Sequence, residues 1–210
     1  MKSLFFALFS IGVFTAFLSM KPDTLWQNRT SFSYTIDPES KLFLEGSSNV
    51  VDFTCHCTSS LQGGRGSMVE EQGNGFSFVN SILQLPVQAL DCGNRTMNKD
   101  MYEALAADKH PFVEIQLLSV KAHDHQLFGE CHEWEDLQAR LRLKIAGETR
   151  EMVMHVRGTH LGYQRYRFVG AKPIYLTHFN IEPPRAMLGA IRVDDCIKIN
   201  MDLVLVLSAD

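Results

Sequence analysis

LQLPVQALDCGNRTMNKDMYEALAADKHPF, residues 83–112 of the chain, changes its period twice. Leu83, Leu85 and Val87 alternate with Gln84, Pro86 and Gln88, the two-residue period of a strand. Asp91, Gly93 and Asn94 break that run, because Gly and Asn tolerate the left-handed backbone of turns. Met97, Met101, Ala104 and Leu105 then recur at three- and four-residue spacing, which gives one apolar helix face, with Asp100, Glu103 and Asp108 off it. Asn98 is expected to cap this helix, and Pro111 to stop it and send His110 extended. No other stretch after residue 20 carries a comparable helical period. The chain therefore reads as a nearly all-β protein with a single short helix.

Outward from that segment, alternation recurs. Phe32 to Ile36 reads as a strand closed by Asp37-Pro38, and Leu42 to Val50 as a second, with Gly46 allowing a bend. Val51, Phe53, Cys55 and Cys57 share one face of a third. Phe76 and Phe78 lie on one face of a long strand, and Val79, Leu83 and Leu85 on the other, so a bulge is expected near Asn80. Val113, Ile115 and Leu117 form a strand after the helix. Ala139, Leu141, Leu143 and Ile145 alternate with Gln138, Arg140, Arg142 and Lys144, and Gly147-Glu148 turns the chain back into Met152, Met154 and Val156. Tyr166 and Phe168, Ile174 and Leu176, and Ile197 to Leu203 complete the set, with Pro183-Pro184 a sharp stop. Long antiparallel strands joined by short turns avoid open edges by closing into a barrel. A barrel of about eight strands is filled by its own side chains or holds one small ligand. The fold class is thus mainly β, an antiparallel barrel of about eight strands with one short helix.

The chain has 210 residues. Lys2 precedes an almost wholly apolar run from Leu4 to Leu18. Roughly 15 apolar residues fall short of the ~20 of a membrane-spanning helix and suit a secretory signal peptide. The expected division is residues 1–20 as signal peptide and 21–210 as one barrel domain, since about 190 residues make one good core. An uncleaved N-terminal anchor is the alternative. Removing Lys2 takes the formal charge from −4 to −5. A mildly acidic chain without a basic stripe excludes nucleic acid as an expected partner. The five cysteines are Cys55, Cys57, Cys92, Cys131 and Cys196. Export would allow pairing, with Cys92 joined to Cys55 or to Cys57. Cys55 and Cys57 share a strand face and do not pair with each other. All five as small buried hydrophobes is the alternative.

At this point several stretches resemble the YceI-like family, secreted or periplasmic lipocalin-like barrels whose known members bind polyisoprenoid lipids. They are Ile36-Asp-Pro-Glu-Ser40 with Leu44-Glu-Gly-Ser-Ser-Asn-Val-Val-Asp-Phe53; Leu85-Pro-Val87 through Met97-Asn-Lys-Asp-Met-Tyr-Glu-Ala-Leu105 and Asp108-Lys-His-Pro111; Leu141 to Gly147; and Phe179-Asn-Ile-Glu-Pro-Pro-Arg-Ala-Met-Leu-Gly189 with Val193-Asp-Asp195 and Ile197-Lys-Ile199. Their order and spacing, more than any one piece, carry the resemblance. The family often has glycine where this chain has Asn180. Asn is the next-best residue for a positive φ, so the turn is expected to survive. The resemblance implies a lipocalin-like barrel, export, an apolar cavity and no catalytic residues.

The inward apolar faces are the candidate site. Phe53, Phe78, Ile115, Leu143, Phe168 and Ile199 would line a lipid tunnel, with Met101 and Leu105 of the helix lidding one end. An isoprenoid or another long-chain lipid is the expected partner, held by burial of apolar area, with no cofactor. No pattern fixes an oligomeric state, and a homodimer is compatible with the sequence. Two other readings remain open. One is a filled barrel acting as a cell-envelope interaction or stress module without ligand. The other is a metal- or thiol-dependent enzyme using His123, His125, Cys131 and His132, although their spacing fits no standard zinc pattern. The chain lacks the nucleophile-elbow, zincin and phosphate-loop motifs.

Overall fold

A computed structural model describes residues 29–71, 75–122 and 132–209. The expected signal peptide lies outside these residues, as do His123, His125 and Cys131.

Twelve of the fourteen strands can be followed from one organising strand. β14 (Cys196–Ala209) runs antiparallel to β11 (Arg165–Tyr175) along all of β11. On its other side, residues 198–202 pair with β2 (Lys41–Ser47), and residues 205–209 pair with β1 (Arg29–Ile36). The Asp37-Pro38 turn thus passes the chain from one half of β14 to the other. From β1 the ladder continues through β4 (Gly64–Glu71), β5 (Gly75–Val79), β8 (Phe112–Ala122), β9 (Trp134–Ile145) and β10 (Glu148–Gly162) back to β11, and the β1–β14 pairing closes these eight strands into a ring. β2, β3 (Asp52–Cys57) and β7 (Leu90–Asp91) extend from β14 away from the ring, and β6 (Ile82–Pro86) pairs with the first half of β8. A separate ribbon joins β12 (Arg185–Ala186) to β13 (Ile191–Arg192). The expected eight-stranded barrel is therefore present, with extra strands widening one end.

The strand patterns follow the alternation of the sequence. Along β9, Leu137, Ala139, Leu143 and Ile145 are buried while Gln138, Arg140 and Arg142 are exposed. Period two forces this, because successive side chains point to opposite faces. The outer face is laced across strands: Glu151 accepts from Arg140 at 2.8 Å and from Arg142 at 2.6 Å, and Lys144 reaches Glu114 at 3.4 Å. Asn80, at φ 60°, ends β5, so β5 and β6 are two strands that pair separately with β8. The break expected there is a left-handed kink, and it leaves Val79 exposed on the far side. Tyr166, Phe168 and Ile174 belong to the single strand β11. The second strand ends at Ser47, which leaves Val50 and Val51 in a turn.

The helix α1 (Arg95–Ala104) is the one α-helix among the described residues. Its cap is Asn94 rather than Asn98: the Asn94 side chain accepts from the backbone N–H of Thr96 at 2.9 Å and of Met97 at 3.1 Å. The turn at Gly93 (φ 71°) puts Asn94 in the extended conformation a cap requires. Asn98 instead ties the helix back, accepting from the Cys92 N–H at 2.8 Å and donating to Asp91 at 2.8 Å. Nor does Pro111 stop the helix. It ends at Ala104 because Ala106 turns left-handed (φ 49°), with the Ala106 and Ala107 N–H groups returning to Glu103 and Tyr102. Asn180 adopts φ 55°, the left-handed turn expected of it.

Two apolar clusters divide the interior. One joins Leu137, Ala139, Met154 and Val156, with Leu117, Leu141, Phe168 and Met201 packed on it. The other joins Leu42, Leu85, Leu90, Leu105, Val113, Leu143, Ile174, Phe179 and Ile197, with Phe53, Met101, Ile115 and Ile199 at its margin.

Candidate functional site

The second cluster is not solid. It surrounds a cavity of about 380 Å³, within the usual size range of small-molecule sites. The strands β2, β3, β8, β9 and β14 supply its wall through Leu42, Leu44, Phe53, Ile115, Leu143, Ile197 and Ile199, and α1 supplies Met97, Met101, Ala104 and Leu105. Their placement follows from period. The wall residues are the inward set of alternating strands, and the helical residues are the apolar stripe found at three- and four-residue spacing. Polar side chains in the lining come from the cap and first turn of α1 (Asn94, Thr96), from Asp100 further along it, and from Ser48 in the β2–β3 turn. Asp100 is the one ionisable side chain there among the described residues. The site can therefore bury a long apolar body and meet a polar group at one end. An unpaired charge placed deeper would lose its hydration without compensation.

A disulfide between Cys55 and Cys92 joins the wall to the approach of α1. The sequence left Cys55 and Cys57 both open as partners of Cys92; Cys55, 1% exposed, is the one that pairs. Cys57 and Cys196 are free thiols. The Cys92 sulfur lies 3.9 Å from the Met101 sulfur, so the bridge abuts the cavity face of the helix. Beneath it Asp91 is held below the ordinary carboxylate range, first by the Asn98 amide and then by the Gly93 N–H. Tyr102 donates its hydroxyl to the Leu90 carbonyl at 2.8 Å, a second tether of α1 to the segment before it.

Gly46 has a different role from the bend expected of it. A methyl group at Gly46 would overlap the Phe53 ring and stand 2.8 Å from Cδ1 of Ile197. The bare Cα lets the Phe53 ring lie across β2 and so take its place in the cavity wall.

Of the eight expected lining residues, Phe53, Met101, Leu105, Ile115, Leu143 and Ile199 meet around the cavity. Phe78 and Phe168 do not. Phe168 packs into the cluster that fills the other half of the barrel, and Phe78 stands edge-on to Phe32 at 6.1 Å between centroids. The reason is that alternation fixes which face a residue is on, but not how far along the barrel it sits. The void thus occupies only the half that carries α1. The sequence reading missed the segment from Ile181 to Val193 as part of the site; its Ile181, Pro184, Ala186, Met187, Ile191 and Val193 also line the cavity. Its two strands are two residues each, too short to show a period. Among the described residues no group of three or more His, Cys, Asp or Glu side chains is placed to hold a metal ion, and the histidine-rich stretch from His123 lies largely outside them.

The sequence model of the YceI-like domain family matches residues 34–205. Among solved structures, a polyisoprenoid-binding domain of Saccharophagus degradans, implicated in plant cell wall breakdown, superposes with a TM-score of 0.60 at 13% identity, over 82% of this chain and 97% of that one. BcnA of Burkholderia cenocepacia superposes with a TM-score of 0.57 at 16% identity, over 80% of this chain and 98% of that one. At such identities the likeness is one of fold. No curated protein is similar enough in sequence to count as a relative.

Proposed function

This chain belongs to the YceI-like domain family, and on that premise we propose that it binds an apolar lipid of polyisoprenoid type, without catalysis, in the cavity between α1 and the barrel wall. The observation that carries the reading is a void of about 380 Å³ whose lining is apolar except for Asn94, Thr96 and Asp100 on α1 and its cap and Ser48 of the β2–β3 turn. Binding there needs no covalent chemistry. Each Å² of apolar surface withdrawn from water contributes about 25 cal/mol, so a long hydrocarbon is favoured over a short one, and the polar residues near Asn94 and Asp100 orient its head. The name of the Saccharophagus domain supports the same ligand class. The biological role we assign is that of a lipid carrier or sequestering protein in the cell envelope, periplasmic or secreted. The Cys55–Cys92 disulfide supports that location, since such bonds persist in oxidising compartments.

The filled-barrel alternative expects no internal void. The half built on Leu137 and Met154 meets that expectation, and the half built on α1 does not. The experiment is organic extraction of the purified protein followed by mass spectrometry, then incubation with a long-chain polyprenol and a second extraction. Recovery of a stoichiometric isoprenoid is the expected result. Protein that is empty at both stages would turn the reading toward the filled-barrel alternative.

A further inference from the structure

The rim of the cavity carries apolar side chains that point into solvent. Between Pro184 and Val193 the chain forms the ribbon β12–β13, in which Arg185 faces Arg192 and Ala186 faces Ile191. Directly paired residues share a face. Ala186 and Ile191 line the cavity, so Arg185 and Arg192 occupy the opposite face, and both are exposed. The tip between them is Met187-Leu188-Gly189-Ala190, with Met187 75% and Leu188 110% exposed. Both are left-handed, at φ 50° and φ 56°, a conformation that costs energy for residues with such side chains. Leu188 is fully exposed, and Met187, although it borders the cavity, is largely exposed as well, so two large apolar groups stand in solvent on unfavourable backbone.

The tip is also braced. Asn49 of the β2–β3 turn donates its side-chain amide to the Ala190 carbonyl at 2.9 Å and accepts from the Arg192 N–H at 2.8 Å. Its own N–H donates to the Arg192 carbonyl at 3.1 Å. That turn brings Val50 and Val51, which border the cavity and are 63% and 54% exposed, alongside the ribbon. The result is an apolar crown at the cavity mouth with two guanidinium groups at its base.

We propose that this crown is a docking surface for a lipid bilayer. Met187, Leu188 and Val50 enter the upper acyl region, Arg185 and Arg192 meet anionic headgroups, and the cavity mouth opens onto the membrane. The order of the layers is the argument: an apolar tip, then cations, then the protein body, which is the sequence of polarity a bilayer surface presents in reverse. A second copy of the chain fits less well, because a two-fold contact through the tip would set the Arg185–Arg192 pair against its own equivalent. Glu182 lies 3.4 Å from Arg185, with both side chains largely exposed (80% and 60%), so that pair is screened and holds the guanidinium weakly. The purpose of docking, transfer of lipid between bilayer and cavity without crossing water, rests on the proposed function.

The test is co-sedimentation with phosphatidylethanolamine vesicles, with and without phosphatidylglycerol. The chain is used from Lys21 onward, because the apolar run before it would itself bind lipid and the described ring begins only at Arg29. Wild type is expected to sediment with the anionic vesicles. Met187→Ser with Leu188→Ser lowers partitioning at least about ten-fold, the scale of removing one large side chain from the acyl region. Arg185→Gln with Arg192→Gln lowers it by about five-fold per arginine on anionic vesicles, and little on neutral ones. An unchanged melting temperature verifies that the variants fold, and Val50→Ser serves as an independent variant of the crown. Wild type that stays in solution, or a serine variant that sediments as wild type does, overturns the proposal. So does a wild-type dimer in sedimentation velocity that the serine variant dissociates, which would make the tip a self-contact. Polyprenol delivered in detergent separates the two readings. Loading without vesicle binding rejects docking and leaves the cavity reading intact. Tip-dependent vesicle binding without loading keeps docking and rejects the cavity reading.

Discussion

Replacing Cys55 and Cys92 together by alanine cuts the covalent tie between β3 and the segment that leads into α1. The two cysteines are 37 residues apart, and the loop they close contains β4, β5, β6 and β7. Closing a loop of that length removes conformational freedom from the unfolded chain, worth about 4 kcal/mol at 25 °C. Typical domains have only about 5–15 kcal/mol in total, so the loss is a large fraction of stability. The alanine at position 55 also leaves a small void where a buried sulfur stood, in the same direction. Urea unfolding followed by far-UV circular dichroism measures the change. The midpoint should fall, and the slope of free energy against urea should rise, because the uncrosslinked denatured chain exposes more surface. Wild type reduced with dithiothreitol should behave as the variant does. Hydrogen exchange in residues 94–104 should quicken more than in β9, since the Cys92 N–H is bonded to Asn98 of the helix. A loss below about 1 kcal/mol, far under the loop-closure value, would refute the reasoning that this bridge restrains the unfolded chain and fixes α1.

Asn94→Ala removes the cap that holds the Thr96 and Met97 N–H groups; it should cost about 1 kcal/mol in urea titration, and Asn98→Ala should not reproduce it by loss of a cap. Gly46→Ala should cost about 1–3 kcal/mol by overpacking and push Phe53 toward the cavity, so polyprenol affinity falls with stability; unchanged binding and unchanged midpoint would count against the role given to Gly46. Acid should weaken the fold in a defined direction. Asp91 is lowered by Asn98, Asp195 by the Thr177 hydroxyl and Asp202 by Arg167. A carboxyl whose folded pKa is depressed stabilises fully above its unfolded value of about 4 and loses that contribution as pH falls through the folded value. Melting temperature should therefore change little with these groups between pH 7 and 5 and drop below about pH 4, and a melting temperature that rises on acidification would contradict it.

The alternation of Leu137 to Ile145 and the stripe Met97, Met101, Leu105 were legible because each pattern is local: a side chain's face follows from its neighbours' spacing. Depth along the barrel is not local. Phe168 and Ile199 both lie on inward faces, yet Phe168 sits in the filled half and Ile199 at the void, a difference set by how far β11 and β14 slide past their partners. The helix cap shifted by four residues for a related reason. Asn94 and Asn98 are both capable caps, and the choice falls on the one that Gly93 places in extended backbone. Cys55 rather than Cys57 meets Cys92 because β3 pairs with β7 through His56 and Cys57, a register no sequence spacing records. The lining role of the Ile181–Val193 rim was not legible because its strands are two residues each, too short for any period to repeat.

The most direct measurement is the affinity of a radiolabelled long-chain polyprenol for wild type and for Ala104→Trp, which places an indole in the cavity from the face of α1. Saturable binding of a single lipid by wild type, at least about ten-fold weaker in the tryptophan variant (about 1.4 kcal/mol) with no loss of melting temperature, is the predicted result. Binding that the indole leaves unchanged, or wild type that takes up no polyprenol, would contradict the assignment of this cavity as the lipid site.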